Sequence, residues 1–108
     1  MIYRSILVIK TNPEQAEKLL QLYRDEEILR ESLRLTRQVS SDIAVAADGS
    51  GEILVTANWP DEKGYLEWLE HPQRDRLAPE FDAILGGVAV GVGKQYIVDH
   101  QVQRDGSA

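Results

Sequence analysis

The run Thr56-Ala57-Asn58-Trp59-Pro60-Asp61-Glu62-Lys63-Gly64-Tyr65-Leu66 holds the densest set of groups able to do chemistry. Trp59 ends an apolar stretch just before Pro60, and Tyr65 follows on the far side of a short acidic turn. Two flat rings so placed can wall an apolar pocket, and the phenol adds a polar tip. An inward Trp at a strand end can equally be a core anchor, and both readings stand at this point. Asn58 offers a carboxamide, although alternation turns it to the opposite side of a strand from Trp59. His71, just before Pro72, carries an imidazole, the side chain most often used for proton transfer near neutral pH; the other reading is a solvated loop residue. Trp59, Tyr65, His71 and Asn58 are the candidate catalytic residues.

Other chemistries lack their residues. There is no cysteine, which removes disulfides, thiolate nucleophiles and Cys-based metal sites. His71 and His100 are the two histidines and lie far apart, with no metal-spaced acids around them, so no metal is expected. Gly86-Gly87 and Gly91-x-Gly93 lack the order of a phosphate loop. Ser5, Ser32, Ser40, Ser41 and Ser50 lack a nucleophile-elbow context. A net charge of −6, from 18 acids against 12 bases, repels nucleic acid and anionic membrane surfaces. The apolar N-terminal stretch is too short to span a membrane and lacks a signal-peptide pattern, so a cytoplasmic protein is expected.

The elements that must position the candidates follow from periodicity. In a chain of 108 residues, one domain over 1–102 and a flexible tail over 103–108 are expected. Residues 2–11 read as a strand that ends at Thr11-Asn12-Pro13, where Asn12 or Thr11 can cap a helix opened by Pro13. Ala16, Leu19, Leu20, Tyr23, Leu29 and Leu33 then give one amphipathic helix over residues 13 to about 34, with Asp25-Glu26-Glu27 on its solvated face. Asp48-Gly49-Ser50-Gly51 is a turn between strands at 39–47 and 52–59. A second helical region opens after Pro60, breaks at His71-Pro72, and is kinked or restarted near Pro79. Residues 88–102 read mostly as strand. The order β-α-β-β-α-β predicts an α+β, ferredoxin-like fold with a four-stranded antiparallel sheet.

The strand pattern also bears on assembly. Ile2, Ile6 and Val8 are apolar on one face of the first strand, and Tyr3, Leu7 and Ile9 on the other. A chain with helices for only one face leaves the second to be covered, and a second copy of the sheet would cover it. The expected unit is therefore a homodimer, with two sheets packed as a dimeric α+β barrel. The alternative is a C-terminal strand that folds back over that face.

The strand-ending Trp59, the acidic turn and Tyr65 on the following helix resemble the signature of the antibiotic biosynthesis monooxygenase family. The resemblance spans nearly the whole chain as element order, and its sequence content is concentrated in residues 52–69. It implies a small homodimer with a pocket between each sheet and its helices. It also implies that Trp59 and Tyr65 line that pocket, and that aromatic polyketides are oxidised with molecular oxygen without metal, flavin or haem. Two features depart from that branch. Its Asn four residues before the Trp is Val55 here, and its pocket Arg falls near Ala78, with Asn58, Arg74 and Arg76 close by but not at the matching places. A haem-degrading branch would match Trp68, but Ser5 stands where it has Asn and Ala78 where it has His.

The reading that results is a cofactor-independent monooxygenase of a small aromatic or polyketide-type molecule, with no cofactor. Trp59 and Tyr65 would line the pocket, and His71 or Asn58 would fill the polar role. The rivals on the same scaffold are a non-catalytic ligand-binding or assembly protein and a non-oxidative polyketide cyclase or isomerase.

Overall fold

A computed structural model describes residues 1–87 and 90–104. The first strand, β1, is Tyr3–Ile9, and the first helix, α1, is Pro13–Asp25. Asn12 is the cap: its side chain accepts from the Gln15 N–H at 2.8 Å, and the Gln15 side chain returns to the Asn12 N–H at 3.2 Å. That reciprocal pair satisfies two otherwise unpaired amides, and Pro13 at the first position has no N–H to satisfy. The Thr11 hydroxyl donates instead to the Gly51 carbonyl and so ties the helix entry to the β-hairpin turn.

The single helix expected over 13–34 is two helices. It breaks at Glu26-Glu27, where Glu27 adopts φ +48°, and resumes as α2, Ile28–Leu35. The acidic run lies at this break, not on a continuous solvated face. The reason comes from far along the chain. The Arg76 guanidinium donates to both Glu31 carboxylate oxygens at 2.9 Å, to Glu26 Oε1 at 3.0 Å and to the Glu26 carbonyl at 2.9 Å. These bonds raise the Arg76 pKa further, those to Glu31 most, and they supply a partner for a carbonyl at the end of α1.

Strands β2, Ser40–Val45, and β3, Ile53–Trp59, form the expected hairpin. Helix α3, Glu62–Glu70, starts at Asp61, whose carboxylate accepts from the Gly64 N–H at 3.0 Å. A 3-10 turn, Pro72–Asp75, follows the break at His71, and α4, Ala78–Leu85, restarts with Pro79 in its first turn, where a proline is tolerated. The last strand, β4, is only Lys94–Ile97, shorter than the 88–102 expected. Residues 90–93 leave the ladder, because Gly91 takes φ +83° and the Gly93 N–H donates to the Tyr65 phenol oxygen at 2.6 Å. The expected strand start at residues 88–89 and the tail from 105 on lie outside the described residues.

The sheet order is β2-β3-β1-β4 with every neighbouring pair antiparallel, the ferredoxin-like arrangement. The face toward the helices carries one buried cluster of Ile9, Ala16, Leu19, Tyr23, Ile53 and Leu85, and a second of Ala57, Trp59 and Tyr65. The far face is less apolar than expected. Register and alternation give it a polar row, Arg4, Asn58 and Ser40, joined by hydrogen bonds of 2.9 Å, and an apolar row, Val8, Leu54 and Ala44. No helix among the described residues is long and apolar enough to cross a membrane.

Candidate active site

Between the two buried clusters the sheet floor drops. Ser5, Ala57 and Ser41 lie side by side across β1, β3 and β2, all facing the helices. The row on one side is Leu7, Val55 and Ile43, and the row on the other brings Tyr3 against Trp59. One row of small side chains between two of large ones leaves space that helices resting on the large rows do not fill. The result is a cavity of about 330 Å³, roofed by side chains such as Tyr23 of α1, Leu29 of α2 and Phe81 of α4. That volume is at the small end of the range of about 300–1,000 Å³ usual for ligand pockets.

Trp59 is 1% exposed and forms one wall; its indole Nε1 donates to the Ser5 hydroxyl oxygen at 3.0 Å. Tyr65 packs beside it, with ring centroids 5.6 Å apart and planes tilted by 41°. Gly64 lets α3 approach: a Cβ there would sit 3.0 Å from the Trp59 ring. Trp59 is thus both core anchor and cavity wall. Trp68 also lines the cavity, so both tryptophans of the chain do.

The polar groups differ from those singled out in the sequence. Asn58 lies on the other face of the sheet, where its Oδ1 accepts from Arg4 and its Nδ2 donates to Ser40. Strand alternation forbids it from sharing the cavity with Trp59. His71 does not line the cavity either. Its Nδ1 accepts from the Gln73 N–H at 3.1 Å and caps the 3-10 turn, and its ring stacks near Trp68 at 5.8 Å.

In their place stand Arg74 and Tyr23. Arg74 is the one cationic residue lining the cavity among the described residues. Its side chain is 25% exposed, its Nη2 donates to the Gly91 carbonyl at 3.3 Å, and its Nη1 lies 3.9 Å from Asp75, whose side chain is 79% exposed. Burial pushes the Tyr23 phenol up to about 12, with the Arg74 charge opposing. Tyr23 therefore stays protonated near neutral pH and can donate a hydrogen bond without acting as a base. Its ring meets Phe81 edge-on at 5.9 Å. The signal for Tyr23 was a phenol in an otherwise aliphatic helix stripe. For Arg74 nothing local distinguished it from its neighbours.

The cavity has room for a flat apolar molecule and sets a guanidinium and a neutral phenol in its lining, with the carboxylates Asp75 and Asp82 also present there. Among the described residues, no group of three or more His, Asp and Glu side chains is placed to hold a metal ion.

No family model matches the chain, and no curated protein matches it. Solved structures do. One is a crystal structure of an antibiotic biosynthesis monooxygenase, 20% identical, covering 94% of this chain and 100% of that one with a TM-score of 0.64. Another is Rv0793 from Mycobacterium tuberculosis, 14% identical, covering 95% and 98% with a TM-score of 0.62. A third is SnoaB, a cofactor-independent oxygenase from Streptomyces nogalater, in an asparagine-to-alanine mutant form, 11% identical, covering 95% and 96% with a TM-score of 0.58. At these identities the likeness is one of fold, and the fold of this chain is that of the antibiotic biosynthesis monooxygenase structures.

Proposed function

We propose that this chain is a cofactor-independent monooxygenase acting on a small, electron-rich aromatic of polyketide type. The observation that supports this best is the aromatic-lined cavity that carries Arg74, its one cation among the described residues, together with a protonated phenol, Tyr23. Trp59 and Tyr65 hold the ring system. Arg74 and Tyr23 stabilise the substrate's anion at its oxygen, and the bound ring system displaces water from around them. That anion passes one electron to molecular oxygen. The resulting radical pair joins through a new C–O bond to give a peroxide. The O–O bond then breaks as the second hydrogen leaves that carbon, so a CH₂ group and O₂ become C=O and H₂O. No external reductant enters the balance.

The test is oxygen uptake with 1,8-dihydroxyanthrone in the presence of a metal chelator. Uptake should persist with chelator, and Arg74→Gln should lower it about a hundred- to a thousandfold, the scale for losing one charge-stabilising group. Binding without oxygen uptake would favour a ligand-binding protein, and turnover without oxygen consumption a cyclase or isomerase.

The working unit in this proposal is a homodimer in which the far sheet faces pack together. Val8 and Leu54 on that face are 46% and 37% exposed in the single chain, and a partner sheet would cover them. Sedimentation at micromolar concentration should give twice the chain mass of 12.2 kDa, and Leu54→Glu should shift the population toward monomer. A monomeric parent protein would remove this part of the proposal.

A further inference from the structure

The face of the sheet away from the helices carries a charge pattern that the cavity does not use. Asp42, Thr56, Ile6 and Lys94 stand abreast on that face, across β2, β3, β1 and β4. The row therefore runs from an acid on one edge strand to a base on the other. Both charged side chains are exposed, and neither enters an ion pair with another described residue. Lys94 Nζ lies 5.4 Å from the ring centroid of Tyr96, its neighbour on the same face. To one side of this row lie the polar residues Ser40, Asn58 and Arg4, and to the other the apolar residues Ala44, Leu54 and Val8. The face thus changes sign from edge to edge and changes polarity along the strands.

Two facing copies of a sheet can be related by a two-fold axis along the strands or across them, and each choice fixes what meets what. Aligned sheets cross at about 30°, so the matching is one of edges and rows. With the axis along the strands at the sheet's midline, β2 lies over the partner's β4 and every row keeps its level. Asp42 then faces the partner's Lys94, and Lys94 faces the partner's Asp42. Leu54 faces the partner's Val8, and Asn58 faces the partner's Arg4. With the axis across the strands at the middle row, each strand lies over its own copy and the outer rows exchange. Asp42 then faces the partner's Asp42, Lys94 faces the partner's Lys94, and Val8 faces the partner's Arg4. The first arrangement joins opposite charges twice and sets apolar against apolar. The second sets like charges together, which weakens an interface. We infer that a second copy of this chain docks on this face with its β2 edge over the β4 edge, oriented by two equivalent Asp42–Lys94 ion pairs. The inference rests on the proposed homodimer and adds its orientation and the residues that select it.

The experiment is sedimentation equilibrium of the full chain at low ionic strength, where rim charges are least screened. Asp42→Lys and Lys94→Asp should each weaken the dimer about ten- to a hundredfold, because each turns two attractive contacts into two repulsive ones. Asp42→Lys also makes the net charge of −6 less negative, which by itself would favour association, so weakening by this variant reports the local pairs. The double variant Asp42→Lys, Lys94→Asp restores both pairs with their signs exchanged and should return to within about threefold of the parent. Should a charge reversal prevent folding, Asp42→Asn, Lys94→Gln and their combination take its place. Each of these three should then weaken the dimer by the same few-fold amount, the mark of a pairwise contact. In the arrangement with the axis across the strands, a single reversal only exchanges one like-charge pair for another and leaves the affinity as it was. A dimer that ignores the single reversals, or that the double variant does not restore, overturns the orientation and leaves the face-to-face homodimer standing. A monomeric parent protein overturns both.

Discussion

Ala57→Phe is expected to abolish binding of a small aromatic, with affinity down more than a hundredfold, while the protein melts at or above the parent temperature. Ala57 is 6% exposed and sits in the middle of the low row, flanked by Ser5 and Ser41, so a phenyl group added at its Cβ points into the cavity. The ring would take up much of the roughly 330 Å³ available and would meet Trp59 and Tyr65 as a bound ring would in the proposal. Filling an apolar void commonly adds about 0.5–2 kcal/mol to stability, against which overpacking costs about 1–3 kcal/mol where the fit is poor. Ala57→Leu covers the second case with a smaller group. Calorimetric titration with 2-naphthol and thermal melting, run on the same samples, separate occlusion from damage. An unaltered affinity in a folded Ala57→Phe protein would mean that the aromatic binds somewhere else.

The largest expected loss of stability is at a position remote from the cavity. Gly51 is buried, has φ +88°, and lies so close to the start of α1 that a Cβ would be 2.4 Å from the Asn12 carbonyl carbon. The same Cβ would be 2.6 Å from both the Asn12 oxygen and the Pro13 nitrogen. All three atoms are backbone and cannot step aside as a side chain could. Gly51→Ala combines a left-handed alanine with that clash, and should cost about 3 kcal/mol or more. In a domain of this size that corresponds to a melting temperature lower by roughly 12–25 °C. Gly49 provides the control. It has φ +80° with open space where its Cβ would go, so Gly49→Ala meets the conformational cost alone, about 1–2 kcal/mol. Equal melting temperatures for the two variants would refute the close approach.

What could be read from the sequence is what is decided locally. The cap at Asn12, one of two residues the pattern offered, the Asp48–Gly51 turn and the interruption near Pro79, read as a kink or a restart, each depend on residues within a few positions, and each appears where the pattern placed it. The ferredoxin-like order follows from those boundaries. Trp59 and Tyr65 were legible for the same reason, since a strand end and a helix start are local events. The break between α1 and α2 was not, because its partner, Arg76, lies fifty residues downstream of Glu26. The short β4 was missed because its ladder ends where Tyr65, from another element, captures Gly93. The polar side of the cavity was hidden in a similar way. Ser5, Ala57 and Ser41 are unremarkable singly and form a floor only once the strand register sets them abreast. Asn58 is the reverse case: alternation already pointed it away from Trp59, and its role is to join Arg4 and Ser40 on the far face.

The low row across the sheet has an evolutionary consequence. Strand pairing is made by backbone groups, so side-chain size in one row can vary while the ladder stays as it is. Ala57 and Ser41, on two separate strands, thereby act as independent dials on the size of molecule admitted, while Ser5 is held by the Trp59 indole. A lineage could trade one substrate for another by exchanging Ala57 or Ser41, without rebuilding the framework around the cavity. Divergence in that row, with the flanking rows of large residues held, is the pattern such a history would leave among descendants of this scaffold.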